Sequence, residues 1–429
     1  MNISTDRALI PADHIAVRYL SVTITAPTRE GRHERPSVHV ALVLDRSGSM
    51  AGRKIEMAKK AADHAVRLLN EHDRLAVVSY DTAVDTLLGA TAATGEAKKL
   101  ALTRLSAIDA RGGTDLCAGW LRGAEELGSG ATPAADTAFD ASLRRVLLLS
   151  DGQANEGETN HDVLARRAAE LRAKGIATST FGLGADFDEV LMSRLATEGG
   201  GHFYFIEQPA QIPDILTSEL GEALEVVARD ARLVVAGGPG VDVACLNPFP
   251  ADVQAGADGP EMHIRLGDLV SAQELTLILA VRCPAGSVGD AARTTLRLSD
   301  RDHALFAQPL TMDWRVAEEA ANAGQAVSAD VLIEVATLLA ERAKAAALEA
   351  NRRGDYADAS ALLKAAAVEL RMLGAGIRQI EALAAELEAE QADFTAVMPA
   401  MAMKSRHFAN LSRMASRSVE GKARKRTHS

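Results

Sequence analysis

From residue 37 to about residue 227, short apolar runs alternate with helical patterns, and that rhythm leaves few folds open. Residues 38–44 (VHVALVL) read as a strand with almost no polar position. A strand apolar at nearly every position is buried on both faces. A helical pattern over 54–69 follows, then strands at 74–79, 145–149, 176–181 and 202–206. Between and after them lie helical patterns at 95–105, 117–127, 161–173, 189–197 and 212–227. Strands that alternate with helices join through right-handed crossovers into a mostly parallel sheet with helices on both faces. The expected fold class is therefore α/β, a doubly wound, mostly parallel, Rossmann-like sheet.

The flanking sequence has other rhythms. Residues 14–25 (HIAVRYLSVTIT) alternate apolar and polar and read as one strand, followed by a charged, Pro-bounded loop at 28–36. Short β-like runs at 232–236, 262–266, 274–281 and 294–298 are separated by Gly, Pro and Asp, which predicts a small β-sandwich. The strand at 14–25 is expected to join it, so that the α/β domain is inserted in the sandwich. Helical spacing returns at 330–350, 356–373 and 377–392. The expected organisation is an N-terminal strand segment at 1–36, the α/β domain at 37–227, the sandwich at 228–316, a helical region at 328–395 and a basic, disordered tail at 396–429. The stretch NRRGDYADA at 351–359 is similar to one tetratricopeptide unit, but such repeats stabilise one another by stacking. A helical buttress is the plainer reading.

A length of 429 residues calls for two or three units. The net charge of −11 argues against nucleic acid as a partner of the whole chain. Eight Lys/Arg against one Glu from Lys404 to Ser429 leave the rest near −18. A solvated, disordered end is the plain reading of that segment, and a docking arm for an acidic partner, an acidic lipid surface or RNA the sharper one. Three scattered cysteines, Cys117, Cys245 and Cys283, fit no zinc spacing and suit a reducing compartment. The first residues lack the apolar segment of a signal peptide, and no run of about 18 apolar residues suggests a membrane span. The cytoplasm is the expected location.

Three short pieces carry the chemistry. Asp45-Arg46-Ser47-Gly48-Ser49 follows the first apolar strand, Gly112-Gly113-Thr114-Asp115 precedes a helix, and Ser150-Asp151-Gly152 follows the strand at 145–149. In open α/β sheets, ligands sit at the carboxyl ends of strands. Two carboxylates and three hydroxyls offer only oxygen. That suits a hard cation such as Mg²⁺, which takes six oxygens in a tight octahedron, and argues against zinc.

The D-x-S-x-S pattern at Asp45–Ser49, with Thr114 and Asp151 downstream in an α/β context, resembles the metal-ion-dependent adhesion site of von Willebrand factor A domains. The resemblance covers about residues 38–227. The text LDRSGSM, GGTDL and LSDGQANEG is similar to bacterial members, in which a β unit and a helical region follow the domain. Some of these are labelled homologues of calcium-activated chloride channels. The resemblance implies that Ser47, Ser49 and Thr114 coordinate Mg²⁺ (Mn²⁺ or Ca²⁺ as alternatives). Asp45 and Asp151 then coordinate directly or through water, and a carboxylate from a protein partner completes the octahedron.

Plainer roles fit the neighbours. Asp115 reads as a helix cap, Cys117 as a small buried residue, Asp81 as a loop residue with support of the metal ligands or partner contact as the alternatives, His161 as a surface or capping residue, and His202 as the entry to an edge strand. No P-loop, dinucleotide fingerprint or G-x-S-x-G elbow is present, and no His base accompanies the serines. The expected function is a metal-dependent protein-binding scaffold or adaptor, not an enzyme. A metal-assisted hydrolase and an adaptor for a separately encoded ATPase or kinase are the alternatives.

Overall fold

The computed structural model describes residues 1–29, 37–128, 142–256, 259–305 and 308–425. The loop expected at 28–36 falls largely outside them. The chain divides into two compact units, one of Arg29–Val226 and one of Met1–Thr28 with Val227–Ser429.

The first unit is α/β. Its sheet contains β4 (Val38–Asp45), β5 (Arg74–Tyr80), β6 (Val84–Ala92), β7 (Leu143–Ser150), β8 (Ile176–Leu183) and β9 (Gly200–Ile206), in the order β6-β5-β4-β7-β8-β9. Every pairing is parallel except that of β6, which returns antiparallel along β5. The sequence pattern misses β6 because its residues are mostly half-buried or exposed at the sheet edge, so no apolar run marks it. All eight residues of β4 are buried. Successive side chains of a strand point to opposite faces, so both faces of the sheet are covered.

The helices of this unit are α1 (Arg53–Leu68), α2 (Gly95–Ser106), α3 (Leu116–Gly128), α4 (His161–Ala173), α5 (Glu189–Glu198) and α6 (Ile212–Leu224). Helix α1 buries Ile55, Ala58, Ala61, Ala62, Ala65 and Val66 along one stripe. Helix α3 lies hard against the sheet. A Cβ on Gly119 would sit 2.4 Å from Cγ of Tyr80, and one on Gly123 would sit 2.4 Å from Cγ2 of Val43. Only glycine lets the α3 backbone come this close, and the approach fixes the height of the loop at its N-terminus.

The second unit contains two sheets. One has the order β1-β3-β14-β11 and is built from β1 (Asn2–Thr5), β3 (Ala16–Thr25), β11 (Asp242–Cys245) and β14 (Glu274–Cys283). The other, ordered β12-β13-β10-β15-β16-β2, uses β2 (Leu9–Pro11), β10 (Val226–Gly237), β12 (Ala251–Gly256), β13 (Gly259–Val270), β15 (Ala291–Ser299) and β16 (Leu310–Ala317). Strand β3 pairs antiparallel with β14 along its whole length, Ala16 opposite Cys283 and Thr25 opposite Glu274. Its alternate residues Leu20, Val22 and Ile24 join Leu233, Ile264, Leu277 and Trp314 in one core.

Helices α7 (Glu319–Gly324), α8 (Ala329–Arg352), α9 (Tyr356–Leu373), α10 (Arg378–Glu390) and α11 (Ala400–Met414) complete this unit. Ala340 and Leu348 of α8, Leu363 and Leu370 of α9, and Ile380 and Leu387 of α10 belong to one core.

Helix α11 corrects the expectation of a disordered tail at 396–429. The segment is folded as far as residue 425, and residues 426–429 lie outside the described ones. Some of its cations are paired or buried by the fold. Arg413 Nη1 lies 2.9 Å from the buried Glu341, Arg406 pairs with Asp393, and Met414 packs with Ile278, Val331 and Val335. Among the described residues no helix is long and apolar enough to cross a membrane.

Candidate metal centre

Strand β4 ends on Asp45, which is fully buried. Its Oδ1 accepts the backbone N–H of Ser47 at 2.7 Å, and its Oδ2 accepts the Ser150 hydroxyl at 2.5 Å. The first bond turns the chain away from the strand axis, and a short 3-10 turn over Gly48–Met50 follows. The second ties the end of β4 to the end of β7. Burial pushes the Asp45 carboxyl up to about 6, against the pull of the Ser150 and Ser47 hydrogen bonds and helped by the neighbouring Asp151 charge. A cation placed here would reverse that penalty.

The loop before α3 is stitched to the same edge. Gly48 N donates to Gly112 O at 3.1 Å, Arg111 N to Arg46 O at 2.7 Å, and Asp115 N to Asp81 O at 2.9 Å. Gly112 has φ +67°, a conformation that favours glycine. Thr114 N donates to Oδ1 of Asn155 at 2.9 Å, so the loop after β7 holds the loop before α3. Around Gly152 the donors close in. A Cβ there would lie 3.2 Å from Thr114 Oγ1 and 3.6 Å from Ser49 Oγ.

Ser47 Oγ and Ser49 Oγ are 3.1 Å apart, and Ser49 Oγ donates to Oδ1 of Asp151 at 2.7 Å. The Lys54 ammonium donates to Oδ2 of the same carboxylate. Neighbouring ligands of an octahedral Mg²⁺ with bonds of about 2.1 Å stand about 2.9 Å apart. The two serine hydroxyls are close to that spacing. Each carboxylate oxygen in the cluster accepts one hydrogen bond and keeps a second lone pair. The donor set fits a small, hard divalent cation. Asp45, Ser47, Thr114 and Asp151 are buried while Ser49 is exposed, so the cluster opens to solvent at Ser49.

The neighbours have defined places. Asp115 Oδ1 caps α3 through Ala118 N at 2.9 Å. Cys117 is buried, and burial pushes its thiol up although Arg167 stands 3.3 Å away. His161 opens α4 and faces Asp188 at 2.9 Å. Asp81 is more than a loop residue. It is buried and receives Arg46 Nε at 2.9 Å and Arg111 Nε at 2.8 Å, while Asp85 takes Arg46 Nη2 at 2.5 Å. This two-by-two ion-pair square braces the outer wall of the cluster. The sequence assigns no role to Lys54, Ser150 or Asn155. Each acts on a partner 41 to 105 positions away, so no local spacing marks it.

A second group, His202, Glu219 and Glu222, brings possible ligand atoms within 4.8 Å of one another. Glu219 is already committed. Its Oε1 accepts Arg145 Nη1 at 2.8 Å and Ser179 Oγ at 2.5 Å, and its Oε2 accepts the Tyr204 hydroxyl at 2.7 Å. An Arg held against the carboxylate repels a metal, so this is an ion-pair network.

Residues 39–218 match the family model of the von Willebrand factor type A domain. This part of the chain is such a domain, a class of module that binds other proteins. Protein YfbK of Escherichia coli (strain K12) is 27% identical over 222 residues, covering 51% of this chain and 37% of that protein. Protein sll0103 of Synechocystis sp. is 26% identical over 270 residues, covering 61% of each. The chain thus spans less than two thirds of either relative. The structure of a von Willebrand factor type A protein from Catenulispora acidiphila matches with a TM-score of 0.67 at 18% identity, over 91% of this chain and 96% of that one. That likeness shows a shared fold reaching well beyond the domain.

Proposed function

We propose that this chain is a divalent-metal-dependent protein-binding scaffold or adaptor. Asp45, Ser47, Ser49, Thr114 and Asp151 hold the metal, Mg²⁺ by preference, and an acidic side chain of the partner completes its coordination. The convergence of three hydroxyls and two buried carboxylates at the strand ends supports this most directly. When bound, the ion supplies a Lewis-acidic anchor for a carboxylate. The protein supplies a fixed oxygen cradle: Asp45 orients the Ser47 turn, and Asp151 orients Ser49.

The same contacts argue against a serine nucleophile. Ser49 donates to Asp151 and Ser47 pairs with Ser49, so neither hydroxyl is polarised by an imidazole. Mn²⁺ and Mg²⁺ binding to the full chain, followed by calorimetry for wild type and Asp45→Ala, tests the site. Equal affinity in the two proteins would sink the assignment. Capture of one defined partner by wild type with Mg²⁺, lost with EDTA and with Asp45→Ala, is the expected binding result.

A further inference from the structure

We propose that Lys54 sets the charge of the metal cluster and so makes the loaded site demand one anionic group from its partner; this rests on the metal-binding reading above. Lys54 is the second residue of α1, and Arg53 precedes it. Cations at a helix N-terminus face the positive end of the helix dipole and are disfavoured there. The Lys54 ammonium nonetheless reaches Oδ2 of Asp151, a carboxylate with no solvent exposure, while the lysine side chain itself is 26% exposed. The same carboxylate receives Ser49 through Oδ1. Lys54 therefore touches the donor cluster directly and is also open to an incoming group.

Charge counting gives its consequence. Asp45 and Asp151 bring two negative charges and Lys54 one positive. A bound divalent cation takes the cluster to plus one, and one carboxylate returns it to zero. Arg46 and Arg111 do not alter the count, because Asp81 and Asp85 neutralise them. Lys54 is the cation hydrogen-bonded to a carboxylate of the cluster. Without Lys54, the metal alone would neutralise the cluster, and an acidic ligand would leave it negative.

The two effects have opposite signs. Removing the ammonium strengthens binding of the bare cation and weakens binding of a carboxylate to the loaded site. A lysine that merely propped α1 would not produce that pair. The test uses the full chain with Mn²⁺, whose binding is read by water-proton relaxation, and then acetate titrated into the Mn²⁺-loaded protein. For Lys54→Met, and for the polar Lys54→Gln, the Mn²⁺ dissociation constant is expected to fall about tenfold and the acetate constant to rise about tenfold. Lys54→Arg should keep both near wild type. Unchanged or weaker Mn²⁺ binding in folded Met and Gln variants, or acetate binding indifferent to them, would overturn the role of Lys54 and leave the metal site standing. Failure of wild type itself to bind Mn²⁺ would overturn the metal reading, and this inference with it.

Discussion

Ser49 Oγ donates to Oδ1 of Asp151 at 2.7 Å, joining the turn after β4 to the end of β7. Ser49→Ala removes both this link and one hydroxyl of the proposed metal set. The residue is exposed, so the hydrogen bond is worth only about 1 kcal/mol to folding. Metal affinity should suffer more, by at least about tenfold, equivalent to about 1.4 kcal/mol. Calorimetric Mg²⁺ titration beside a thermal melt separates the two. Full metal affinity in this variant would remove Ser49 from the site.

The geometry of α3 makes a different prediction. Gly119 and Gly123 let the helix sit on Tyr80 and Val43, and the loop carrying Thr114 is attached to its start. Gly123→Ala forces a methyl against the stiff Val43 side chain. Overpacking of this kind costs about 1–3 kcal/mol. Because the helix must lift, metal binding should weaken although no donor has changed. A variant that melts lower but binds metal as wild type would show that α3 does not set the position of Thr114.

The buried pair Arg145–Glu219 governs stability at acid pH. Burial alone would raise the Glu219 pKa, but His202, Arg145 and the Ser179 hydroxyl outweigh it and hold the carboxyl well below the usual 4.5. A carboxyl depressed in the folded state adds stability that is fully present above its unfolded value and lost as pH falls through its folded value. The wild-type α/β unit should therefore lose stability progressively below about pH 4.5. Glu219→Gln leaves the Arg145 charge buried without its partner, at a cost of about 3–5 kcal/mol near neutrality. It should also flatten the acid limb. Urea unfolding at a series of pH values checks both, and an unchanged acid slope would remove Glu219 as its source.

Much of this arrangement is legible in the residues. Strand 38–44 and the run at 145–149 announce themselves because a doubly covered strand has no polar face. The D-x-S-x-S spacing places Asp45, Ser47 and Ser49 on one turn, so that part of the cluster is local. The contacts that hold the cluster are not local. Ser150 on Asp45, Asn155 on Thr114 and Lys54 on Asp151 arise only when the ends of β4 and β7 lie side by side. The tail misled for a related reason. A run of cations looks solvated until the fold brings Glu341 beside Arg413 and Asp393 beside Arg406.

The end of the chain now carries a structural duty that a deletion can expose. Ser416 Oγ donates to Thr276 O at 2.7 Å and accepts Thr276 N at 3.3 Å, and Glu274 N donates to Arg424 O at 2.8 Å. These residues cover the first half of β14, where β11 does not reach: β11 pairs only with Leu279–Arg282. An uncovered strand edge presents unpaired backbone groups and invites association. Truncation after residue 415 should therefore speed amide hydrogen exchange at Glu274 and Thr276. It should also promote concentration-dependent oligomers by light scattering. Mg²⁺ affinity should stay as in wild type, since no donor of the proposed metal set lies in this unit. Unchanged exchange at those two amides would show that the terminal segment does not protect the edge.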